Sequence, residues 1–493
     1  MKILVVQLAR LGDIYQTWPT LHALQRQNPS AELHLLTRGT FAAAVPHDLI
    51  DRHIALDTRD VLAPLIDEKP AIDTSLEKLD GFCDQMRAEN YHRIINLSFS
   101  AFSSYLVSQI ESSTTTVSGY SRFNDGYLRI PDDGSAYFYA QVGVGRPNRL
   151  HISDLFAYVA GVELTAEDWE FGRSPSQDRA PAILIHIGAS DLSKTLSSGK
   201  WLQVVKGLLS AWSGEVVLIG SAAEREFAAQ IAAVSGERRP VNLVGETSLA
   251  EVFTMVSEAR LLIGGDSAPV QIASLTGTPV LNVSLPIVSF WETGPRSKGS
   301  RILAVSAEET VSAEEIVAES LAMLTGQATT AATVRVLGPT LPYVEMRPQP
   351  RAFEWEVIRG MYMGEKFPEP PSDLFLLGMK RLLDVNLLAM EQLEVLRKNP
   401  QNKTASTIID RADELMEQII QPQMVPEAAP VVQWFRTERL RIGPMSIDQL
   451  IEATHIVHQR LHDVINIYVN SGGGESEQAV VDGGDDDGVI LDK

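Results

Sequence analysis

The sequence predicts an α/β protein in which two Rossmann-like domains, each a parallel sheet flanked by helices, face a cleft, followed by an all-helical extension. Three observations lead there. Short apolar strands alternate with helical spans as far as about Gly326. Two stretches, LARLGDIYQTWP and GGDSAPVQIASLTGTPV, each carry an apolar strand through a glycine turn into a helix. Beyond residue 350 the apolar periodicity is helical without strands.

In the first domain, 1–165, Ile3 to Leu8 is a continuous apolar strand, and Gly12-Asp13 turn the chain into a helix from about Tyr15 to Gln27. Leu33 to Leu36 and Ile94 to Leu97 are further strands, with a helix from about Ser75 to Asn90 before the latter. Thr165 to Arg179 is a polar connector. The second domain, 180–326, opens with the strand Ala182 to Ile187, which breaks at Gly188-Ala189-Ser190. Helices are expected over Trp201 to Trp212, Glu224 to Val234, Ser248 to Ser257 and Ser312 to Leu324, with strands at Val216 to Ile219 and Asn242 to Val244. Ser248 and Glu251 have capping-box spacing.

The densest pattern lies between Ala259 and Ser284. Leu261 to Ile263 is a strand that stops at Gly264-Gly265, Asp266-Ser267 stand where an N-cap belongs, and a helix from Pro269 to Thr276 ends at Gly277 before the strand Pro279 to Val283. Open parallel sheets bind ligands beyond the carboxyl ends of their strands, where unpaired helix amides and the helix dipole favour an anion. A phosphate is therefore expected at Ser267 to Pro269. After a linker over 327–350, the extension over 351–470 reads as helices at Ser372 to Lys398, Thr404 to Gln421, Val431 to Leu440 and Ser446 to Asn470, with Pro422, Pro426 and Pro430 separating the second from the third. The Gly-rich, acidic stretch 471–493 predicts a disordered tail.

Composition excludes several functions. A chain of 493 residues is long enough for two or three domains, and 44% hydrophobic with 21% charged residues is ordinary for a soluble globular protein. The net charge of −21 argues against a reader of nucleic-acid backbones, which needs clustered Lys and Arg. With Cys83 as the only cysteine, no intrachain disulfide or Cys-based metal cluster forms. The amino-terminal apolar run reads as a buried strand rather than a signal peptide, and no segment reaches the roughly 20 apolar residues of a membrane span. The expected location is the cytoplasm, peripheral to the inner membrane face at most. No P-loop, HExxH or GxSxG occurs, and the only Asp-x-Asp is the Asp485 to Asp487 run of the acidic tail, so neither a metal nor another cofactor is expected. His455, His458 and His462 fall on one face of the last helix beside Glu452, a spacing compatible with Zn²⁺ or Ni²⁺ but more simply a polar surface stripe.

Taken together, LARLGDIYQTWP and GGDSAPVQIASLTGTPV resemble glycosyltransferase family 9, the ADP-heptose:lipopolysaccharide heptosyltransferases, over Met1 to Gly326. The resemblance implies the architecture called GT-B and an inverting, metal-independent transfer of a sugar, heptose foremost, from a nucleotide donor, ADP-heptose foremost. The acceptor it implies is a hydroxyl of a lipopolysaccharide core or related glycan. On its own, Asp13 is a helix-start carboxylate that suits the dipole; the resemblance makes it the general base. Ala9, Arg10 and Gly12 line the same turn on the acceptor side. Lys194, in IHIGASDLSKTLSSGKW, is on its own a loop lysine with Lys200 as a competitor; the resemblance places it, with Ser190, on the donor diphosphate, where it offsets the charge of the departing nucleotide.

Glu224 is likewise a helix-start acid that the resemblance puts on the donor ribose, and Thr247, beside Ser248, borders the base. Asp266, Ser267, Ala268, Pro269 and Gln271 form the donor-phosphate element, with Ala268 where the family has Gly and Gln271 where it has His. The Glu292-Thr293-Gly294-Pro295 turn resembles a late family element near the cleft. Two rival readings remain open: a degenerate member that binds a sugar nucleotide or a protein as a scaffold, and a transferase whose acceptor is a protein. In either, 351–470 would be a surface for a protein partner or for self-association.

Overall fold

The computed structural model describes residues 1–66, 70–171, 180–189, 191–233, 238–305, 307–326, 334–336 and 351–470. The acidic tail, Ser190 and most of the expected linker lie outside the described residues. Contacts divide the chain into two compact units, Met1–Gly119 with Leu150–Pro348, and Tyr120–Arg149 with Gln349–Lys493.

In the first unit the chain runs through β1 (Lys2–Gln7), α1 (Leu11–Gln27), β2 (Glu32–Arg38), β3 (Arg52–Leu56), α2 (Thr58–Ile66), α3 (Ile72–Ala88), β4 (Arg93–Asn96), α4 (Ala101–Ile110) and β5 (Thr116–Gly119). These strands form one parallel sheet in the order β3-β2-β1-β4-β5. Ile3 to Val6 are wholly buried, as a strand covered by helices on both faces requires. At Gly119 the backbone has φ +86° and a Cβ would stand 2.0 Å from the Asn96 carbonyl oxygen, so only glycine fits. The chain then passes through β6 (Ser121–Arg122), β7 (Leu128–Arg129) and α5 (Asp133–Gln141), which belong to the second unit, and returns with α6 (Ile152–Val159).

The second Rossmann half follows as β8 (Ala180–His186), α7 (Ser198–Ala211), β9 (Val216–Ile219), α8 (Arg225–Ala233), β10 (Val241–Asn242), α9 (Leu249–Glu258), β11 (Ala259–Gly264), α10 (Ala268–Thr276), β12 (Val280–Ser284), α11 (Phe290–Thr293), β13 (Arg301–Ala304), α12 (Ala313–Thr325) and β14 (Val334–Val336). The sheet order is β10-β9-β8-β11-β12-β13-β14, parallel except for β14, which pairs antiparallel with β13. That strand lies in the stretch expected as linker; three residues are too short to show a period. One face of this sheet packs Ile183, Ile185, Leu281 and Val283 against Trp201, Val205 and Ile316. The other packs Leu184, Leu262 and Val280 with Val256, Val270 and Ile272, and that cluster also takes in Ile14 and Tyr15 of α1. The two halves thus share a core at the helix that carries Asp13. Each such fully buried side chain contributes about 1.5–3 kcal/mol of transfer free energy.

The second unit adds α13 (Ala352–Met363), α14 (Asp373–Lys398), α15 (Lys403–Ile419), α16 (Ala429–Arg441) and α17 (Ile447–Val469) around a core that includes Phe375, Met379, Met416, Phe435, Leu461 and Ile465. The stretch 120–149, which sequence boundaries assign to the first domain, packs within this unit. Gln141 Nε2 donates to the Pro430 carbonyl at 3.1 Å, Tyr137 meets Tyr362 edge-on at 4.9 Å, and Arg441 pairs with Asp133 at 2.8 Å. Such partners, hundreds of residues away along the chain, leave no mark in local periodicity.

The three histidines of α17 do not share a face to solvent. His458 is wholly buried, its Nδ1 bonded to Asn386 Oδ1 at 2.7 Å and its ring edge-on to Phe435. His455 lies 3.7 Å from Glu394, and Asn466 bonds to His462. Among the described residues, no group of three or more His, Cys, Asp or Glu is arranged to hold a metal ion.

Candidate active site

Asp13 sits in the first turn of α1, where its Oδ2 accepts the Arg10 backbone N–H at 2.8 Å. The helix-start role is therefore real, but it occupies one oxygen; among the described residues Oδ1 makes no hydrogen bond. Burial pushes the carboxyl pKa above the ordinary range. The Arg10 amide and charge oppose that shift, Asp266 adds to it, and Lys194 opposes it. Asp13 thus feels the charges of two residues from the other Rossmann half.

Those two residues form an ion pair. Lys194 Nζ lies 2.8 Å from Asp266 Oδ2, with the side chains 14% and 16% exposed. Lys194 ends a short 3₁₀ turn, Leu192–Lys194, held by Asp191, which accepts the Ser193 N–H at 2.9 Å and hydroxyl at 2.7 Å. A Cβ on Gly265 would stand 2.6 Å from the Lys194 carbonyl oxygen, so glycine there lets the turn lie against the end of β11. Lys200, the competing lysine, donates to the Val311 carbonyl at 2.7 Å and serves the packing of α7.

At α10 the N-cap residue is Ser267, and no side chain caps the helix. The expected Asp266-Ser267 cap is corrected on this point: Asp266 turns to Lys194, and the Ser267 hydroxyl donates to the Gly265 carbonyl at 3.3 Å. Ala268 and Pro269 open the helix. Gly12 approaches them closely, since a Cβ there would lie 3.7 Å from Gln271 Cγ and 4.0 Å from Ala268 Cα. Gln271 is 4% exposed and its Nε2 donates to the Thr293 carbonyl at 2.6 Å. The next carbonyl, of Gly294, is bonded by His151 Nε2 at 3.0 Å. Gln271 thereby anchors the Glu292 to Pro295 turn, with that amide donor committed to the protein.

Glu224 closes a capping box, its Oε2 accepting the Ser221 N–H at 2.6 Å and hydroxyl at 2.7 Å. Its carboxyl also lies over Gly188, where a Cβ would be 2.7 Å from Glu224 Cδ, so it stands just beyond the carboxyl end of β8. Thr247 precedes the Ser248 cap of α9, and its Oγ1 is buried without a hydrogen bond. Ala9 and Arg10 form the turn before α1, with Arg10 exposed. Sequence reasoning passed over His186, the last residue of β8. Burial lowers its pKa to about 4, against the pull of Glu224, so the ring is neutral, and its Nδ1 is buried without a partner. The available signal was a single polar residue inside an apolar strand.

The model of "Glycosyltransferase family 9 (heptosyltransferase)" matches residues 82–285. Lipopolysaccharide heptosyltransferase 1 of Campylobacter coli is 24% identical over 307 residues, covering 57% of this chain and 83% of that protein. Over residues 82–285 the chain is similar to glycosyltransferase family 9. Two solved structures share its fold. The family 9 glycosyltransferase of Veillonella parvula has a TM-score of 0.50 and 16% identity, covering 66% of this chain and 97% of its own. E. coli ADP-heptose lipopolysaccharide heptosyltransferase II has a TM-score of 0.50 and 18% identity, covering 66% and 99%.

Proposed function

We propose that this enzyme transfers heptose from ADP-heptose, with inversion and without a metal, to a hydroxyl of a lipopolysaccharide core or related glycan. The observation that carries the reading is the convergence of Asp13, from the first half, with the Lys194–Asp266 pair at the mouth of α10 in the second. Asp13 Oδ1 takes the proton of the acceptor hydroxyl as that oxygen attacks the anomeric carbon from the face opposite the diphosphate. The bond from the anomeric carbon to the phosphate oxygen breaks, and its electron pair leaves on ADP. Lys194 and the uncapped amino end of α10 carry the charge that develops there. Glu224 takes the ribose hydroxyls, and Ala9, Arg10 and Gly12 border the acceptor. The names of the C. coli relative and of the E. coli structure support the choice of donor and acceptor classes.

The test is ADP release from ADP-heptose with a deacylated lipopolysaccharide core as acceptor. Asp13→Asn should lower turnover by about 10²–10⁴-fold, the range of a lost general base, and the wild-type product should carry the inverted anomer. Full turnover by Asp13→Asn would remove Asp13 from the chemistry.

A further inference from the structure

Between β1 and α1 the chain passes through Leu8, Ala9 and Arg10, and every backbone polar group of these three residues has a partner. The Leu8 N–H donates to Ser98 Oγ at 2.7 Å, and the Leu8 carbonyl accepts from Arg38 Nε at 2.6 Å. The Ala9 N–H donates to Gln7 Oε1 at 3.1 Å, and the Ala9 carbonyl accepts from Arg38 Nη2. The Arg10 N–H goes to Asp13 Oδ2 and its carbonyl accepts the Asp13 N–H at 3.1 Å. Three side chains, Gln7 and Arg38 at the ends of β1 and β2 and Ser98 in the loop after β4, therefore hold the segment that in turn holds the Asp13 carboxylate.

Gln7 stands at the centre of this set. It is wholly buried just after the apolar run Ile3 to Val6, a place where an amide is costly unless all its polar atoms are bonded. Its Nε2 donates to the Leu97 carbonyl at 3.1 Å and to Thr17 Oγ1 at 3.3 Å, while the Thr17 hydroxyl donates to the Asp13 carbonyl at 2.7 Å. Two routes thus run from Gln7 to Asp13, one through the loop to the carboxylate and one through Thr17 to the main chain. Beside Ser98, Phe99 has φ +47°, a left-handed backbone unusual for a bulky residue, so the loop after β4 keeps its shape at some conformational cost.

We propose that Gln7 is a positioning residue for the transfer reaction, fixing the Leu8–Arg10 loop so that Asp13 Oδ2 stays on the Arg10 amide and Oδ1 alone is presented to the acceptor hydroxyl. The inference rests on the proposed role of Asp13 as base. Ser98 and Arg38 complete the same support.

The experiment compares wild type with Gln7→Leu and with Ser98→Ala, the milder change, using ADP release from ADP-heptose with the deacylated core. Gln7→Leu should lower kcat by about 10–100-fold, as a misplaced catalytic group does, with the donor KM within about twofold. Ser98→Ala should act in the same direction by about 3–10-fold. Because the Arg10 amide holds the Asp13 pKa down, loosening it should move the acid limb of kcat to higher pH, which a loss of stability alone would not do. Hydrogen exchange, read independently of activity, should show faster exchange at Ala9 and Arg10 with Ile3 to Val6 unchanged. Folded variants with wild-type kcat and acid limb, or with unchanged exchange at Ala9 and Arg10, would overturn the proposal. A wild type that releases no ADP from ADP-heptose would instead overturn the reading of function, and this inference with it.

Discussion

The Asp13 carboxylate commits one oxygen to structure. Oδ2 closes the first turn of α1 through the Arg10 amide, and the remaining oxygen stands in the field of Lys194 and Asp266. Burial raises its pKa, which makes it a stronger base than a surface aspartate, at the expense of being protonated earlier on acidification. In the proposed role as base Asp13 acts deprotonated, so kcat should fall as pH drops through a midpoint above the ordinary value of about 4. Lys194→Ala removes a charge that opposes the shift, so its residual activity should show an acid limb at still higher pH, measurable as a pH–rate profile. A limb at or below the usual aspartate value in wild type would contradict the assignment. As candidates, Asp13 and Lys194 were legible because short strand-turn-helix signatures carry them. Gln7 and His186 were not, because each reads as one polar residue beside an apolar run; the significance of Gln7 lies in its partners elsewhere in the chain. Gln271 was legible as a position, but its hydrogen bond to Thr293 depends on how the turn after β12 folds back.

Among the elements, α10 shows how much a strong local pattern conveys. A strand rich in Leu and Ile, two glycines, a proline in the first turn and a closing glycine placed its bounds to within one residue, Ala268–Thr276. The short strands escaped because they carry too few residues to show a period. The face of α17 is a different case, since the spacing placed three histidines together while packing turned His458 inward. Burial, reinforced by Arg439 and His455, lowers the His458 pKa to about 3, against about 6.5 in the unfolded chain. The unfolded chain then binds the extra proton between those values, so stability should fall as pH drops from about 6.5 toward 3. Unfolding followed by fluorescence of the buried Trp434 should show this acid sensitivity, and His458→Gln should flatten it. Equal acid sensitivity in both proteins would show that another group is responsible.

On the scale of the whole molecule, the two Rossmann halves share a core through Ile14 and Tyr15, so the helix that presents Asp13 is packed on the domain that carries Lys194. The alternation of strands and helices made both sheets readable from residue order. The grouping of 120–149 with the helices beyond 350 was not, because it rests on contacts such as Gln141 with Pro430. Cutting the chain at 350 would strip α5 of those partners, so measurements belong on the full chain. Among the described residues no helix is long and apolar enough to cross a membrane. We propose that Lys194 and α10 form a working donor site opposite Asp13. Calorimetric titration of the full chain with ADP-heptose, repeated on Lys194→Ala and Asp13→Asn, tests it most directly. Saturable binding to wild type is expected, weakened about 10–100-fold by Lys194→Ala through loss of a charge-assisted contact and left within about threefold by Asp13→Asn. Absence of binding, or binding indifferent to Lys194→Ala, would contradict it.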